Sequence, residues 1–238
     1  MNVFFCPEIK GKTAVLSSEE SAHCIRVLRL KKGDKVQVID GIGGFFNGFV
    51  LLPDAKQCRI QLEEVIDHQK NRNFSIHIAI APTKSIDRFE WFVEKAVEIG
   101  IDMITPLLCH HSERRTLRTE RFHKLIISSM KQAMVPCLPK LNELTEFQKF
   151  LNNINGSTYN RFIAHCDATE RKRLKDVLAP QSNVIILIGP EGDFTPGEID
   201  LAMNKGFIPV SLGLNRLRTE TAGIVACNTI NLVNDLRI

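Results

Sequence analysis

Two stretches of the chain put polar and glycine residues where a strand hands over to a helix. The first is VIILIGPEGDFTPGEIDLAMNKG, residues 184–206, in which an apolar β-branched run stops at Gly189-Pro190-Glu191-Gly192-Asp193. Thr195-Pro196-Gly197-Glu198 has the pattern of a capping box: a threonine N-cap, a proline at the first helical position and a glutamate three residues on. A helix starting near Pro196 would point its positive end at the loop 189–194, where free backbone N–H groups and small residues allow close approach to a ligand. The loop also follows the carboxyl end of a strand, where open α/β sheets bind ligands. The stretch has neither the G-x-G-x-x-G of a dinucleotide site nor the Gly-Lys-Ser/Thr of a phosphate loop, and Glu191 would repel a phosphate. The pattern suits a cationic or hydroxyl-rich ligand, or else a tight turn with an exposed glutamate.

The second stretch, VSLGLNRLRTETAGIVACNTINLV at 210–233, also runs from strand through glycine loop to helix. Thr219, Glu220 and Thr221 sit at the helix head, where side-chain oxygens cap free amides. Ala222, Val225, Ala226, Thr229, Leu232, Val233 and Leu236 form the expected inward stripe. If the two strands are neighbours, both loops meet at one end of the sheet. Packing alone does not call for two such polar heads.

These junctions need a sheet to carry them. After a polar stretch near residues 67–73, the chain alternates strands (FSIHIAIAP, DMITPLL, RFIAHC, VIILIG, IPVSLG) with helices, which argues for a parallel sheet covered on both faces. In SIDRFEWFVEKAVEIG, Ile86, Phe89, Phe92 or Val93, Ala96 and Val97 keep a helical period, and Gly100 takes the post-helix position. Residues 1–70 differ. Short alternating segments separated by Gly and Asp turns predict a small antiparallel barrel or sandwich, with one short helix at SEESAHCIRVLR. The expected domains are therefore 1–70 and 73–238.

Composition sets few limits. With 44% hydrophobic and 24% charged residues the 238-residue chain can bury an ordinary core, and a net charge of +4 does not by itself imply a nucleic-acid partner. The seven cysteines lie far apart with no C-x-x-C pair, which predicts reduced, mostly buried thiols and no metal site. The start of the chain lacks a leader pattern and no stretch reaches the ~20 apolar residues of a membrane span, so the expectation is a cytoplasmic protein without membrane association.

The pair LIGPEGDFTPGEI and SLGLNRLRTETA resembles the signature of the SPOUT methyltransferases that modify a uridine of small-subunit ribosomal RNA at its ring N3, the RsmE family. The resemblance covers nearly the whole chain. HCIRVLRLKKGDKVQVIDG is similar to that family's PUA-like RNA-binding β-barrel, and PTKSIDRFEWFVEKAVEIGIDMITPL to its first α/β unit. Two departures stand out: Asp193 where glycine is usual, and MKQAMVPCLP in place of the usual run. The resemblance implies an α/β methyltransferase domain whose C-terminal chain forms a trefoil knot, S-adenosylmethionine held among the knot loops, and a homodimer. It assigns Gly189, Pro190, Glu191, Gly192, Leu212, Gly213, Leu217, Thr221 and Ala222 to the cofactor.

Methylating uridine N3 requires loss of the ring proton, stabilisation of the resulting anion and alignment of the attack. Arg218 could supply fixed donors to that anion, or could instead pair with Glu220 or another carboxylate. Glu191 could direct a proton, or hold a loop or ribose hydroxyl. The histidines are expected to be surface or packing residues. Arg26, Arg29, Lys31 and Lys32, together with Arg114, Arg115 and Arg118, are the expected RNA contacts, since basic clusters position phosphates without reading sequence. The 171–175 cluster is expected to be a solvated face. The substrate is expected to be small-subunit ribosomal RNA or the assembled subunit. The competing readings are a SPOUT enzyme acting on a ribose 2′-hydroxyl or another base, and a non-catalytic RNA-binding assembly factor.

Overall fold

The computed structural model describes residues 1–68, 72–154, 159–166 and 171–235, which fall into two compact units. The first contains Met1–Arg72 and Ile127–Leu138, and the second Asn73–Ile126 and Pro139–Ile238. Residues 127–138, which the sequence boundaries assign to the second domain, thus group with the first.

The first unit holds β1 (Val3–Phe5), β2 (Ile9–Lys10), β3 (Thr13–Val15), α1 (Ser18–Ala22), β4 (Lys35–Ile39), β5 (Gly44–Leu52) and β6 (Arg59–His68). They form one sheet in the order β1-β4-β5-β6-β3-β2. Its pairings are antiparallel, as expected of a small antiparallel barrel or sandwich, apart from β1 with β4, which run parallel and put the N-terminal strand at one edge. Alternating Val36 and Val38, Val50, Ile60 and Leu62 bury one face with Phe4 and Leu16. Ser17 caps α1 by accepting the Glu20 amide, and the helix then loosens into a π-helical turn at His23–Val27. The segment Ile127–Leu138 is tied in by Lys131 Nζ on Glu20 Oε1 at 2.6 Å and by the Leu138 amide on the Gly41 carbonyl at 2.8 Å. Its hydropathy pattern is that of any amphipathic helix, so the sequence carries no sign of which unit it serves.

The second unit runs β7 (Ile76–Ile80), α2 (Ile86–Ile99), β8 (Met103–Leu108), α3 (Thr119–Ala133, shared with the first unit from Ile127), β9 (Lys140–Leu141), β10 (Thr145–Glu146), α4 (Phe147–Asn153), β11 (Asn160–Ala164), β12 (Lys172–Arg173), α5 (Leu174–Val177), β13 (Val184–Ile188), α6 (Pro196–Asn204), β14 (Ile208–Ser211) and α7 (Thr219–Asp235). The sheet order is β10-β8-β7-β13-β11-β14-β12, with β9 also on β8, and every described pairing is parallel. All five residues of β7 and of β13 are buried, as the continuous apolar runs require of central strands covered on both faces. One face packs on Phe147, Phe150 and Leu151 of α4 and Ile199 and Ala202 of α6. The other carries α2 and α7, which also pack on each other. Helix α2 buries Phe89, Phe92, Val93, Ala96 and Val97 and ends at Gly100, whose left-handed φ of 104° suits glycine.

Helix α7 differs from the stripe predicted for it. Beyond its head, where Thr219 and Glu220 are buried, its buried residues are Gly223, Ala226, Cys227, Ile230 and Asn234, whereas Leu232 is 61% exposed and Leu236 lies outside the described residues. Close approach at Gly223 sets this rotation: a Cβ there would stand 2.5 Å from the Phe92 ring and 2.9 Å from Ile80 Cδ1. The smallest side chain therefore marks the tightest contact, a rule that a hydrophobic stripe does not reveal.

Candidate functional site

Strands β13 and β14 are not adjacent; β11 lies between them. The loops that leave their carboxyl ends nevertheless converge on one cavity of about 610 Å³, within the range of a small-ligand site. Gly189, Pro190, Glu191 and Asp193 line it from the first loop, and Ser211 through Arg218 from the second. Thr219 and Ala222 contribute the head of α7, Ala164, His165 and Cys166 the end of β11, and Arg88 the first turn of α2.

Side chains clasp the loop backbones together. Thr219 Oγ1 is buried and donates to the Gly189 carbonyl at 3.1 Å, which joins the two junctions directly. The capping box at Thr195 is complete: Thr195 Oγ1 accepts the Glu198 amide at 3.2 Å, and Glu198 Oε2 accepts the Thr195 amide at 2.9 Å. The other oxygen of Glu198 accepts the His110 amide at 2.8 Å, so the helix cap also holds the loop after β8. Asp193 adopts a φ of 63°, a left-handed conformation that aspartate tolerates better than most residues. Its Oδ2 accepts the Cys166 amide at 2.7 Å and its Oδ1 the Phe194 amide at 2.8 Å, fastening the β11 end to the β13 loop.

Of the sequence-predicted cofactor residues, the structure brings Gly189, Pro190, Glu191, Leu212, Gly213, Leu217 and Ala222 to the cavity, with Arg218 beside them. Gly192 and Thr221 are not among the lining residues. The close neighbour of Gly192 is His111, whose Cβ would lie 3.0 Å from an added methyl. Glu191 Oε1 accepts the Lys84 amide at 2.9 Å, so this carboxylate steadies the loop after β7. Arg114 holds the same loop from another side, donating to the Thr83 carbonyl at 3.1 Å and the Lys84 carbonyl at 2.6 Å. Arg115 and Arg118 are exposed, as are Arg26, Arg29, Lys31 and Lys32 in the first unit.

Glu220 sits beside Arg88, 3.9 Å from its Nε, rather than pairing with Arg218. The cavity lining carries four guanidiniums (Arg88, Arg171, Arg216, Arg218) against two carboxylates, Glu191 and Asp193. Desolvation and then Asp193 push the Cys166 thiol up from its ordinary value, against Arg216 and Arg171, which keeps it protonated and poorly nucleophilic. Among the described residues no group of three or more His, Cys, Asp or Glu is placed to hold a metal, and no helix is long and apolar enough to cross a membrane. Arg88, Asp193 and Thr219 escaped the sequence reading of the site. Asp193 and Thr219 flank recognised motif positions, whereas Arg88 lies about a hundred residues away on a helix that signals only packing.

Comparison with known proteins agrees with this geometry. The RNA methyltransferase domain family matches residues 70–231, and the RNA methyltransferase PUA domain family matches residues 16–63. The Synechocystis protein named ribosomal RNA small subunit methyltransferase E is 32% identical over 233 residues, covering 94% of this chain and 74% of that one. Among solved structures, a probable rRNA-methyltransferase from Porphyromonas gingivalis superposes with a TM-score of 0.88 at 39% identity, covering 98% of each chain. A Legionella pneumophila protein solved with bound cofactor SAM gives a TM-score of 0.85 at 26% identity, covering 98% of this chain and 97% of that one. With the methyltransferase family model matching more than half of its length, the chain belongs to the RNA methyltransferase family that includes the small-subunit ribosomal RNA methyltransferases E.

Proposed function

We propose that this protein transfers a methyl group from S-adenosylmethionine to N3 of a uridine in small-subunit ribosomal RNA, as a cytoplasmic homodimer acting on the RNA or the assembled subunit. The observation that carries this reading is the convergence of the two glycine-bearing loops, joined by the Thr219–Gly189 bond, around one cavity. The residues fit the cofactor. Residues 189–191 and 211–217 bring loop backbone to the cavity beside an adenine or ribose, Leu212 and Leu217 offer apolar walls, and Asp193 and Glu191 supply the negative charge that a cationic ligand needs. When bound, the cofactor supplies an electrophilic sulfonium methyl.

The chain's own part is positioning and electrostatics. Arg218 lines the cavity while Glu220 is drawn to Arg88, so its guanidinium is available for the carbonyl oxygens of a uridine losing its N3 proton. Glu191 acts on the backbone of Lys84, which supports the role of loop holder over that of proton carrier. The basic residues Arg26, Arg29, Lys31 and Lys32 of the first unit, with Arg115 and Arg118 of the second, are exposed and suited to phosphate contacts. A trefoil knot at the C-terminus is part of the same reading. It is supported by the order β7-β13-β11-β14, after which the chain returns past the 189–193 loop to pack α7 on β7, β13 and α2.

The test is methyl transfer from labelled cofactor to purified small subunits lacking the modification, followed by nucleoside analysis. The expected product is 3-methyluridine, with Arg218→Ala reducing kcat by roughly 100-fold, the cost of removing one anion-stabilising donor. A labelled ribose methyl would move the assignment to a 2′-hydroxyl. Absence of both transfer and cofactor binding by calorimetry would leave an RNA-binding assembly factor.

A further inference from the structure

Glu220, beside the cavity, is an ionisable group that the proposed chemistry leaves without a task. It is 7% exposed at the head of α7, its Oε1 stands 3.9 Å from Arg88 Nε, and its Oε2 has no hydrogen-bond partner among the described residues. A carboxylate taken out of water is costly unless it is paired. The positive end of α7 offsets part of that cost, and the rest falls to Arg88, its cationic neighbour in the first turn of α2. The Arg88 side chain is itself 46% exposed and lines the cavity that Arg218 also lines. One end of this guanidinium is therefore drawn toward a buried charge while the remainder faces the site.

We propose that Glu220 is a positioning residue that holds Arg88 as an anion-binding group for the RNA substrate, receiving an anionic oxygen of the target nucleotide. The inference rests on the methyltransferase reading above. The oxygen comes either from a flanking phosphate or from a carbonyl of the uridine once its N3 proton is lost; an arginine fork serves both. Exposure favours the RNA over the cofactor. Gly189, Pro190 and Val210, which line the same cavity, are buried, so a small ligand is enclosed there. Arg88 is half-open to solvent, where a macromolecule reaches it.

The experiment measures kcat and KM for small subunits and cofactor Kd by calorimetry in Arg88→Ala, Arg88→Lys, Glu220→Gln and the double variant Arg88→Ala with Glu220→Gln. Arg88→Ala is expected to lower kcat/KM for the RNA by about 10- to 100-fold, as for loss of a charge-assisted hydrogen bond, with cofactor Kd within two-fold of wild type. A rise in KM identifies the phosphate and a fall in kcat the uridine carbonyl. Arg88→Lys should recover part of the loss. Glu220→Gln should be harmful alone and silent when Arg88 is already alanine, because a group that acts only through another loses its effect once that other is gone. Additive losses, an unchanged kcat/KM in Arg88→Ala, or an equal weakening of cofactor binding would each overturn the proposal. If Glu220→Gln does not fold, the two Arg88 variants decide on their own. A wild-type protein that transfers no methyl refutes the function and this inference together, whereas an active wild type with uncoupled variants refutes the inference alone.

Discussion

Replacing Gly223 with alanine sets two effects of opposite sign against each other. In a helix interior alanine is favoured over glycine by about 1 kcal/mol, so propensity alone predicts a more stable protein. Packing predicts the reverse. The added methyl would lie 2.5 and 2.7 Å from two carbons of the Phe92 ring and 2.9 Å from Ile80 Cδ1, and both of those side chains are fully buried. Ordinary carbon contacts need ~3.5 Å or more, so the helix or the ring must give way by about 1 Å. Overpacking of this kind costs about 1–3 kcal/mol, which on balance exceeds the propensity gain by about 1 kcal/mol. For a chain of this size that lowers Tm by roughly 2–4 °C. The shift should also reach the cavity, because Thr219, one turn earlier on α7, donates to Gly189 at 3.1 Å. Calorimetry should therefore show cofactor affinity reduced about three- to tenfold, as expected from losing about one buried hydrogen bond. Phe92→Leu, which removes the offending ring carbons, should cost stability alone but less when combined with Gly223→Ala. An alanine variant that melts higher than wild type and binds cofactor equally well would show that propensity governs this position and that the close approach is not a constraint.

Three further outcomes can be measured. His77 is buried against Thr105 Oγ1 at 2.7 Å, and burial, followed by the charge of Lys140, lowers its pKa to about 4. An unfolded histidine titrates near 6.5, so protons bind preferentially to the unfolded state; this site's contribution is complete above about pH 7 and declines by about 2 kcal/mol by pH 5. Urea unfolding at both pH values should show that share of the loss disappear in His77→Gln, and an identical pH slope in the two proteins would refute it. Asp193→Gly relieves a φ of 63° but removes the acceptor for the Cys166 amide, so cofactor affinity should fall severalfold while Tm changes little; unchanged affinity would show that the clasp is dispensable. Glu191→Ala and Arg114→Ala should each speed hydrogen exchange at residues 83–85, with the double variant little worse than either single one, because both side chains hold the same loop. Protection that is untouched in both would separate these side chains from the loop.

What the sequence makes legible is whatever depends on near neighbours in the chain. The capping box at Thr195, the five-residue buried β13 and the Gly100 stop of α2 each require only a few consecutive residues, and each is present. Two-residue strands such as β9, β10 and β12 are too short to establish a period and exist only because a long strand offers its edge. The turn of α7 was misjudged because its inward face is set by Phe92 and Ile80, more than 130 residues away. Arg114 is the same problem in polar form. In a run of arginines it looks like phosphate-binding surface, and its Nε and Nη2 also donate to two carbonyls of the β7–α2 loop, which no local pattern announces.

The polar residues around the cavity follow one arrangement that accounts for both glycine-bearing junctions. Thr219, Glu191, Asp193, Glu198 and Arg114 each reach from one segment to a backbone amide or carbonyl of another. Loops fixed in this way lose little further entropy when a ligand arrives, so more of the binding energy remains for orienting it. The division of labour follows. Glu191, which a motif suggests is catalytic, holds the walls in place, while Arg88, Arg171, Arg216 and Arg218 line the space between them. The methyl transfer to a ring nitrogen proposed above needs a rigid approach and a stabilised anion more than a strong base, which this division of labour suits.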